Sequence, residues 1–298
     1  MLPLDRVYCG NNLDLIEEID DDSVDLVFYS PPYAATHKYG ESDQEIGHGQ
    51  TLEQYLASMA RLNRACARVL KPSGNLVINV MDLVREGSPV PLADLLIADV
   101  TCPQRTGESA YPVPGSGGPL RLIEKIVWFI VNKMPVASDR RFCNKFEWIL
   151  HLAKSDSYYF NLNSVREPHG KWGAIDAKKR PEKWNSMGKN PGNDWNYPIP
   201  TDNDIQAGQR DVSDGDHWDI KAYRVAGRRK FHKAGFPIEL CDRVIQAWCP
   251  AGGVMLDPFA GSGTSCLSAR EFGRHFIGFE LFPSNVEICE KRLSGELV

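Results

Sequence analysis

The feature that most constrains this chain lies near its end. The apolar run Gly253-Val254-Met255-Leu256 leads into the glycine turn Asp257-Pro258-Phe259-Ala260-Gly261-Ser262-Gly263-Thr264. A helical stretch over Ser262–Phe272 and a second apolar run, His275-Phe276-Ile277-Gly278-Phe279-Glu280, complete the unit. Strand, glycine turn, helix, strand and terminal acid, in that order, make the nucleotide-binding half of a doubly wound parallel sheet. Glycines let the backbone pass close to a ligand without a Cβ in the way, and Glu280 stands where a carboxylate can accept both hydroxyls of a ribose. A phosphate-binding loop needs Gly-x-x-x-x-Gly-Lys-Ser/Thr, and no lysine follows Gly263; a dinucleotide fingerprint needs a third glycine, which is absent. Asp257 at the head of the turn would repel a pyrophosphate and can hold an amino group. S-adenosyl-L-methionine, with an ammonium, a sulfonium and a ribose but no phosphate, fits this set. The expected cofactor residues here are Asp257, Pro258, Phe259, Ala260, Gly261, Ser262, Gly263, Thr264 and Glu280.

A second motif, Ser30-Pro31-Pro32-Tyr33, follows the apolar run Val24-Asp25-Leu26-Val27-Phe28-Tyr29. The carboxyl end of a parallel strand is where open α/β sheets bind their ligands. Consecutive prolines fix φ and hold the neighbouring carbonyls rigidly. The Ser30 hydroxyl and the Pro31 carbonyl can accept N–H bonds from an exocyclic amine, Pro32 stiffens the loop, and Tyr33 can stack on a flat ring. Accepting those N–H bonds leaves the nitrogen lone pair available for direct attack on a methyl sulfonium. The chemistry calls for neither a cysteine nucleophile nor a metal.

Strand and helix patterns alternate along the first part of the chain. A helix is expected from about Leu52 to Leu70, stopped by Lys71-Pro72-Ser73-Gly74, with a strand over Asn75–Val80. A helix from Pro91 to about Asp99, an exposed loop over Thr101–Pro119, and strands over Lys125–Val131 and Glu147–Leu152 follow. From about Asn161 to Arg229 the periodicity disappears, and tryptophans and tyrosines are scattered among polar residues. That stretch reads as an inserted recognition region or, compatibly, as a loop-rich cover packed by its tryptophans. Regular pattern resumes with a helix from Pro237 to about Ala247, and a last helix runs to about Arg292. Three segments result: a catalytic half over residues 1–160, an insert over 161–229 and a cofactor half over 230–298.

No apolar run approaches the roughly 18 residues of a membrane span. The eight cysteines are scattered with no Cys-x-x-Cys pair, which points to reduced thiols in a cytoplasmic protein and away from a zinc site. Net charge is −5, yet its distribution is uneven. Asp14, Glu17, Glu18, Asp20, Asp21, Asp22 and Asp25 make the start acidic, whereas Lys178, Lys179, Arg180, Lys183, Arg228, Arg229 and Lys230 make the insert locally basic. A local basic patch attracts a polyanion whatever the overall sign, although interspersed aspartates suit a solvated mixed surface equally.

With both motifs in view, the chain resembles the DNA amino-methyltransferases of the β order, in which the catalytic motif comes first, a target-recognition region follows and the cofactor motif comes last. Phe231-His232-Lys233-Ala234-Gly235-Phe236-Pro237 resembles the family's His-Pro-Ala-x-Phe-Pro motif, with Lys233 in place of proline. Asn11-Asn12 stands near its Gly-Asp element, and Asn144-Lys145-Phe146-Glu147 resembles its Asn-x-x-Glu element. The resemblance implies a seven-stranded, Rossmann-like, circularly ordered sheet. It also implies Asn11, Phe236 and Pro237 at the cofactor, with Ser30, Pro31, Pro32 and Tyr33 at the reacting amine. Ser in the first motif position goes mainly with N4-cytosine methylation in this family, and Asp or Asn with N6-adenine. The implied substrate is double-stranded DNA whose target base leaves the stack. A cognate restriction endonuclease and a homodimer are the partners it suggests. N6-adenine methylation and, less so, a non-catalytic DNA-binding relative are the alternatives.

Overall fold

The computed structural model describes residues 2–32, 42, 44–85, 87–101, 119–130, 142, 144–169, 184–196 and 237–296. Strand β1 (Arg6–Cys9), helix α1 (Asn12–Leu15) and a 3-10 turn (Ile16–Glu18) precede β2 (Val24–Tyr29). Helix α2 (Leu52–Val69) then feeds β3 (Leu70–Val80), a hairpin of β4 (Leu83–Arg85) and β5 (Ser88–Val90), and α3 (Leu92–Thr101). Next come β6 (Arg121–Phe129), β7 (Phe146–Ala153), a 3-10 turn (Leu162–Val165) and β8 (Asp194–Asn196). The last part runs α4 (Ile238–Trp248), β9 (Val254–Asp257), α5 (Thr264–Glu271), β10 (His275–Glu280) and α6 (Pro283–Ser294).

Eight strands form the main sheet in the order β1-β10-β9-β2-β3-β7-β6-β8. The first five are mutually parallel. Strand β7 runs antiparallel to both β3 and β6, and β8 is parallel to β6. This is the expected doubly wound sheet of seven strands, extended by the three-residue β8. Strand β9 leaves through α5 toward β10 on one side, and β2 leaves through α2 toward β3 on the other. The β9–β2 seam is therefore the topological switch point, where ligands bind in such sheets. Helices α2 and α3 pack on one face and α4 and α5 on the other, each over its own apolar cluster.

Helix α2 starts as its sequence dictates. The Thr51 hydroxyl accepts from the Gln54 amide, and the Gln54 side chain accepts from the Thr51 amide, a reciprocal capping box. The helix ends at Val69, as expected, but the next strand starts earlier than its apolar run, because β3 already begins at Leu70 and takes in Lys71–Gly74. Pairing jumps from Val24↔Leu70 to Leu26↔Asn75, so the four-residue stretch bulges out of register while remaining extended. Asp25 sits in the gap. It is a buried residue and no part of an acidic surface, for its Oδ2 accepts from Lys71 Nζ at 2.7 Å and from the Val254 amide at 2.9 Å. Strands β6 and β7 also start earlier than their apolar runs, at Arg121 and Phe146.

The described parts of the 161–229 segment lie against the sheet. Trp195 on β8 is buried, stacked on Trp248 at 5.9 Å, with the Arg243 guanidinium 5.2 Å from its ring centroid. Arg243 also pairs with Glu167 at 3.2 Å, and His169 stacks on Trp184 at 3.8 Å. The expected loop over Thr101–Pro119 falls almost wholly outside the described residues. Among those described, no helix is long and apolar enough to cross a membrane.

Asn75 is the polar centre of the packing. It is fully buried; its Nδ2 donates to the Tyr159 and Trp248 carbonyls, and its Oδ1 meets His151 Nε2 at 2.9 Å. Asn75→Ala should lower the unfolding free energy by about 2–4 kcal/mol, since it strands three buried polar partners. Urea denaturation measures this, and a loss under about 1 kcal/mol would show that the neighbours find other partners.

Candidate active site

The two motifs meet at the carboxyl ends of β2, β9 and β10. One cavity is lined by Ser30, Pro31 and Pro32 on one side and by Asp257–Ser262 and Glu280 on the other. Asn11 and Thr264 line it as well. Gly263 and Pro237 do not: Gly263 is buried beneath the turn, and Pro237 is buried at the cap of α4. Tyr33 and Phe236 lie outside the described residues. The cavity also takes in Asn12, the second residue of the Asn11-Asn12 element, and Glu45, Phe282 and Asn285, which motif reading did not place at the site. Phe282 and Asn285 had a usable signal, because Pro283 marks a helix start directly after the Glu280 strand.

The glycine turn is closed by its own atoms. The Phe259 amide donates to Asp257 Oδ1 at 2.9 Å, and Ala260 donates to the Phe279 carbonyl at 2.8 Å. The Gly261 amide donates to Glu280 Oε2 at 2.9 Å, and Gly263 donates to the Ala260 carbonyl at 2.7 Å. Gly263 has φ +77°, and a Cβ there would stand 2.0 Å from Cys289 Sγ on α6. That contact demands glycine for packing as well as for backbone conformation. Arg292 of α6 donates to the hydroxyls of Ser262 and Thr264 at 3.0 and 3.2 Å, which locks the far side of the turn.

Glu280 Oε1 accepts from the Phe282 amide at 2.9 Å and from Asn285 Nδ2 at 3.2 Å. Each carboxylate oxygen has two acceptor positions. Asn11 caps α1 by accepting from the Leu13 amide, while Asn12 is buried and donates to the Pro258 carbonyl at 3.1 Å. These bonds tie the end of β1 to the turn. Beneath the Ser30 motif, the Tyr29 ring packs on Phe259 at 5.4 Å and its hydroxyl donates to Asn63 Oδ1. Pro31 is buried, and Ser30 and Pro32 are half-buried.

Among the described lining residues there are three carboxylates, Glu45, Asp257 and Glu280, and no lysine, arginine or histidine. Burial, with a lesser push from the nearby Glu280 charge, raises the Asp257 carboxyl to about 7, against the pull of hydrogen bonds from Ser265 and the Phe259 amide. The cavity is built for a ligand that is positive or neutral. It is unsuited to a phosphate, since four amides of the turn already donate within the protein and no cation stands among the described lining residues.

A family model described as DNA methylase matches residues 24–291, and the chain belongs to this N6/N4 DNA methylase family. It is a DNA methyltransferase. Over 297 residues it is 30% identical to the type II methyltransferase M.ScaI of Streptomyces caespitosus, covering 97% of this chain and 81% of that protein. The type II methyltransferase M.BglII of Bacillus subtilis is 28% identical, covering 98% and 70%. Two solved structures share the fold. The PvuII DNA methyltransferase, cytosine-N4-specific, superposes with a TM-score of 0.65 at 19% identity, covering 96% of this chain and 85% of that one. A DNA modification methylase from Thermus thermophilus, complexed with S-adenosyl-L-methionine, gives 0.59 at 23%, covering 98% and 95%.

The Asp257 environment has a measurable consequence. Its folded value lies above the ordinary 3.8, so between about 4 and 7 the folded protein holds a proton that the unfolded chain has lost. Stability therefore falls as pH rises through that window. Asp257→Asn preserves both hydrogen bonds, with the amide oxygen accepting from Phe259 and its NH2 group donating to Ser265. The variant's stability relative to wild type should climb between pH 4 and 7, by at most about 1.4 kcal/mol per pH unit. Asp242, pushed up to about 6 mainly by burial, contributes in both proteins and drops out of the difference. Urea titrations at pH 5, 6 and 7 test this, and a difference constant across them would place the carboxyl near its ordinary value.

Proposed function

We propose that this chain transfers the methyl group of S-adenosyl-L-methionine to the N4 amine of a cytosine in double-stranded DNA. The observation that carries the reading is that Ser30-Pro31 and the Asp257–Glu280 set share one acidic cavity at the switch point, with no cation among its described lining residues. The donor set suits this cofactor: Glu280 Oε2 keeps one acceptor position for a ribose hydroxyl, and the carboxylates favour the ammonium and sulfonium charges. When bound, the cofactor supplies an electrophilic methyl group. The cytosine-N4 specificity of the PvuII fold neighbour agrees with a serine at the first motif position.

The chain's own residues have few tasks. The Ser30 hydroxyl and the Pro31 carbonyl accept the two amine hydrogens, turning the nitrogen lone pair toward the methyl group. The prolines hold those acceptors still, so that positioning supplies much of the rate. A neutral hydroxyl suits the amine because its lone pairs accept while its own hydrogen points away from the base. Tyr33 stacks on the base after it leaves the duplex. The 161–229 segment, with its basic and aromatic residues, reads the target sequence, and its phosphate contacts weaken with salt. The type II relatives fit a modification enzyme that protects DNA from a companion endonuclease.

Genomic DNA incubated with the protein and labelled cofactor, then digested to nucleosides for mass spectrometry, should yield N4-methylcytosine. N6-methyladenine would overturn the base assignment. Ser30→Ala should lower kcat about a hundredfold while the cofactor Kd stays within about threefold. Parallel losses in both would remove Ser30 from the chemistry.

A further inference from the structure

One buried polar atom beside the catalytic motif is left over. Asn79 on β3 is 3% exposed, and its Nδ2 donates to Glu147 Oε2 at 2.7 Å. Its Oδ1 has no hydrogen-bond partner among the described residues. Buried amide oxygens are nearly always satisfied, so one left over marks a place where a donor arrives.

The sheet register says which donor is nearest. The last β2–β3 pair is Tyr29↔Ile78, so Ser30 and Asn79 are the next residues on two adjacent parallel strands. Alternation puts both on the face of Phe28 and Val77, which share one apolar cluster. On β7, Asn79 is opposite Ile149, and Glu147 lies two residues closer to the strand start, at the same end of the sheet. Ser30, Asn79 and Glu147 thus lie on one face of three neighbouring strands, at the end of the sheet that carries the cavity.

The chemistry of the three groups is complementary. A carboxylate only accepts, so Glu147 dictates that Asn79 turns its NH2 group toward it and its oxygen away. A serine hydroxyl has one hydrogen, and to accept an amine N–H through its lone pairs it must send that hydrogen elsewhere. We propose that Asn79 and Glu147 are positioning residues: with the target base in place, Asn79 Oδ1 receives the Ser30 hydroxyl hydrogen, and Glu147 fixes the amide that does so. Asn79 is neutral and takes no proton; it orients the serine. This inference rests on the proposed role of Ser30 as an amine acceptor.

Glu147→Gln is the test, because a glutamine can meet either end of the Asn79 amide and no longer dictates its orientation. The variant should lose about tenfold in kcat, the worth of one hydrogen bond, with the cofactor Kd and the KM for DNA unchanged. The same change made in Ser30→Ala should cost nothing further, since the hydroxyl it serves is gone. Asn79→Leu, isosteric and without the acceptor, should follow the same pattern. Equal losses with and without Ser30, or no loss at all, would overturn the inference and leave the methyl transfer standing. A wild-type protein that binds the cofactor and methylates no DNA base would overturn the proposed function and this inference with it. N6-methyladenine as product would overturn only the cytosine assignment, because the coupling to Ser30 can be read on either amine.

Discussion

The hydrogen bond from the Gly261 amide to Glu280 Oε2 is the constraint on which the site depends. It joins the turn after β9 to the end of β10 and so fixes the width of the cavity between them. It also settles what the cavity can hold. In phosphate-binding loops the turn amides point outward and stay free for the ligand. Here the acid at the end of the next strand takes one of those amides, and Asp257, Phe279 and Ala260 take three more. The turn is rigid, already satisfied and lined with negative charge. Its selectivity against phosphate follows from internal bonding, before any ligand arrives.

The seam that brings the catalytic motif to this turn is narrow. Strands β2 and β9 pair at only two register positions, Leu26↔Met255 and Val27↔Leu256, although most of the chain lies between them. Asp25 strengthens the join from below by accepting from the Val254 amide, and Lys71 neutralises the buried carboxylate at 2.7 Å. From above, the Tyr29 ring lies against Phe259. The two motifs, at opposite ends of the chain, are brought side by side by this short strand pair and a contact at each end of it, while β1 joins the far side of the turn by pairing with β10. A circular order of motifs is tolerated because the sheet needs only that adjacency, whichever half is made first.

Much of this was legible in the sequence because it is local. The strands at Val24–Tyr29, Val254–Asp257 and His275–Glu280 are apolar runs bounded by turn residues, and α2 announces itself by Thr51 and Gln54. Asp257, Gly261 and Glu280 could be placed because strand, turn, helix and acid come in fixed order. The early start of β3 has a definite cause. Pro72 and Gly74 look like a helix stop, and the helix does stop there, but the chain continues extended because Asp25 across the gap supplies a partner for Lys71. Asp25 is one of several acids near the start of the chain, and nothing in its neighbourhood of like charges reveals that a strand amide 229 residues away will meet it.

What stayed hidden was whatever depends on register between distant strands. Asn79 is an ordinary polar residue in an apolar run, and Glu147 stands out only by its Asn-x-x-Glu resemblance, until β3 lies between β2 and β7 and puts Asn79 beside Ser30 with Glu147 one strand further. The aromatic residues of the 161–229 segment show the same limit in the other direction. Composition leaves them open between a recognition region and a loop-rich cover packed by its tryptophans, whereas in the structure Trp195 is packed against Trp248 under the Arg243 guanidinium and Trp184 is stacked on His169. The Trp195 ring anchors the segment to the sheet, and the Trp184 ring braces it internally. A ring held at 4% exposure, as Trp195 is, cannot also reach a groove.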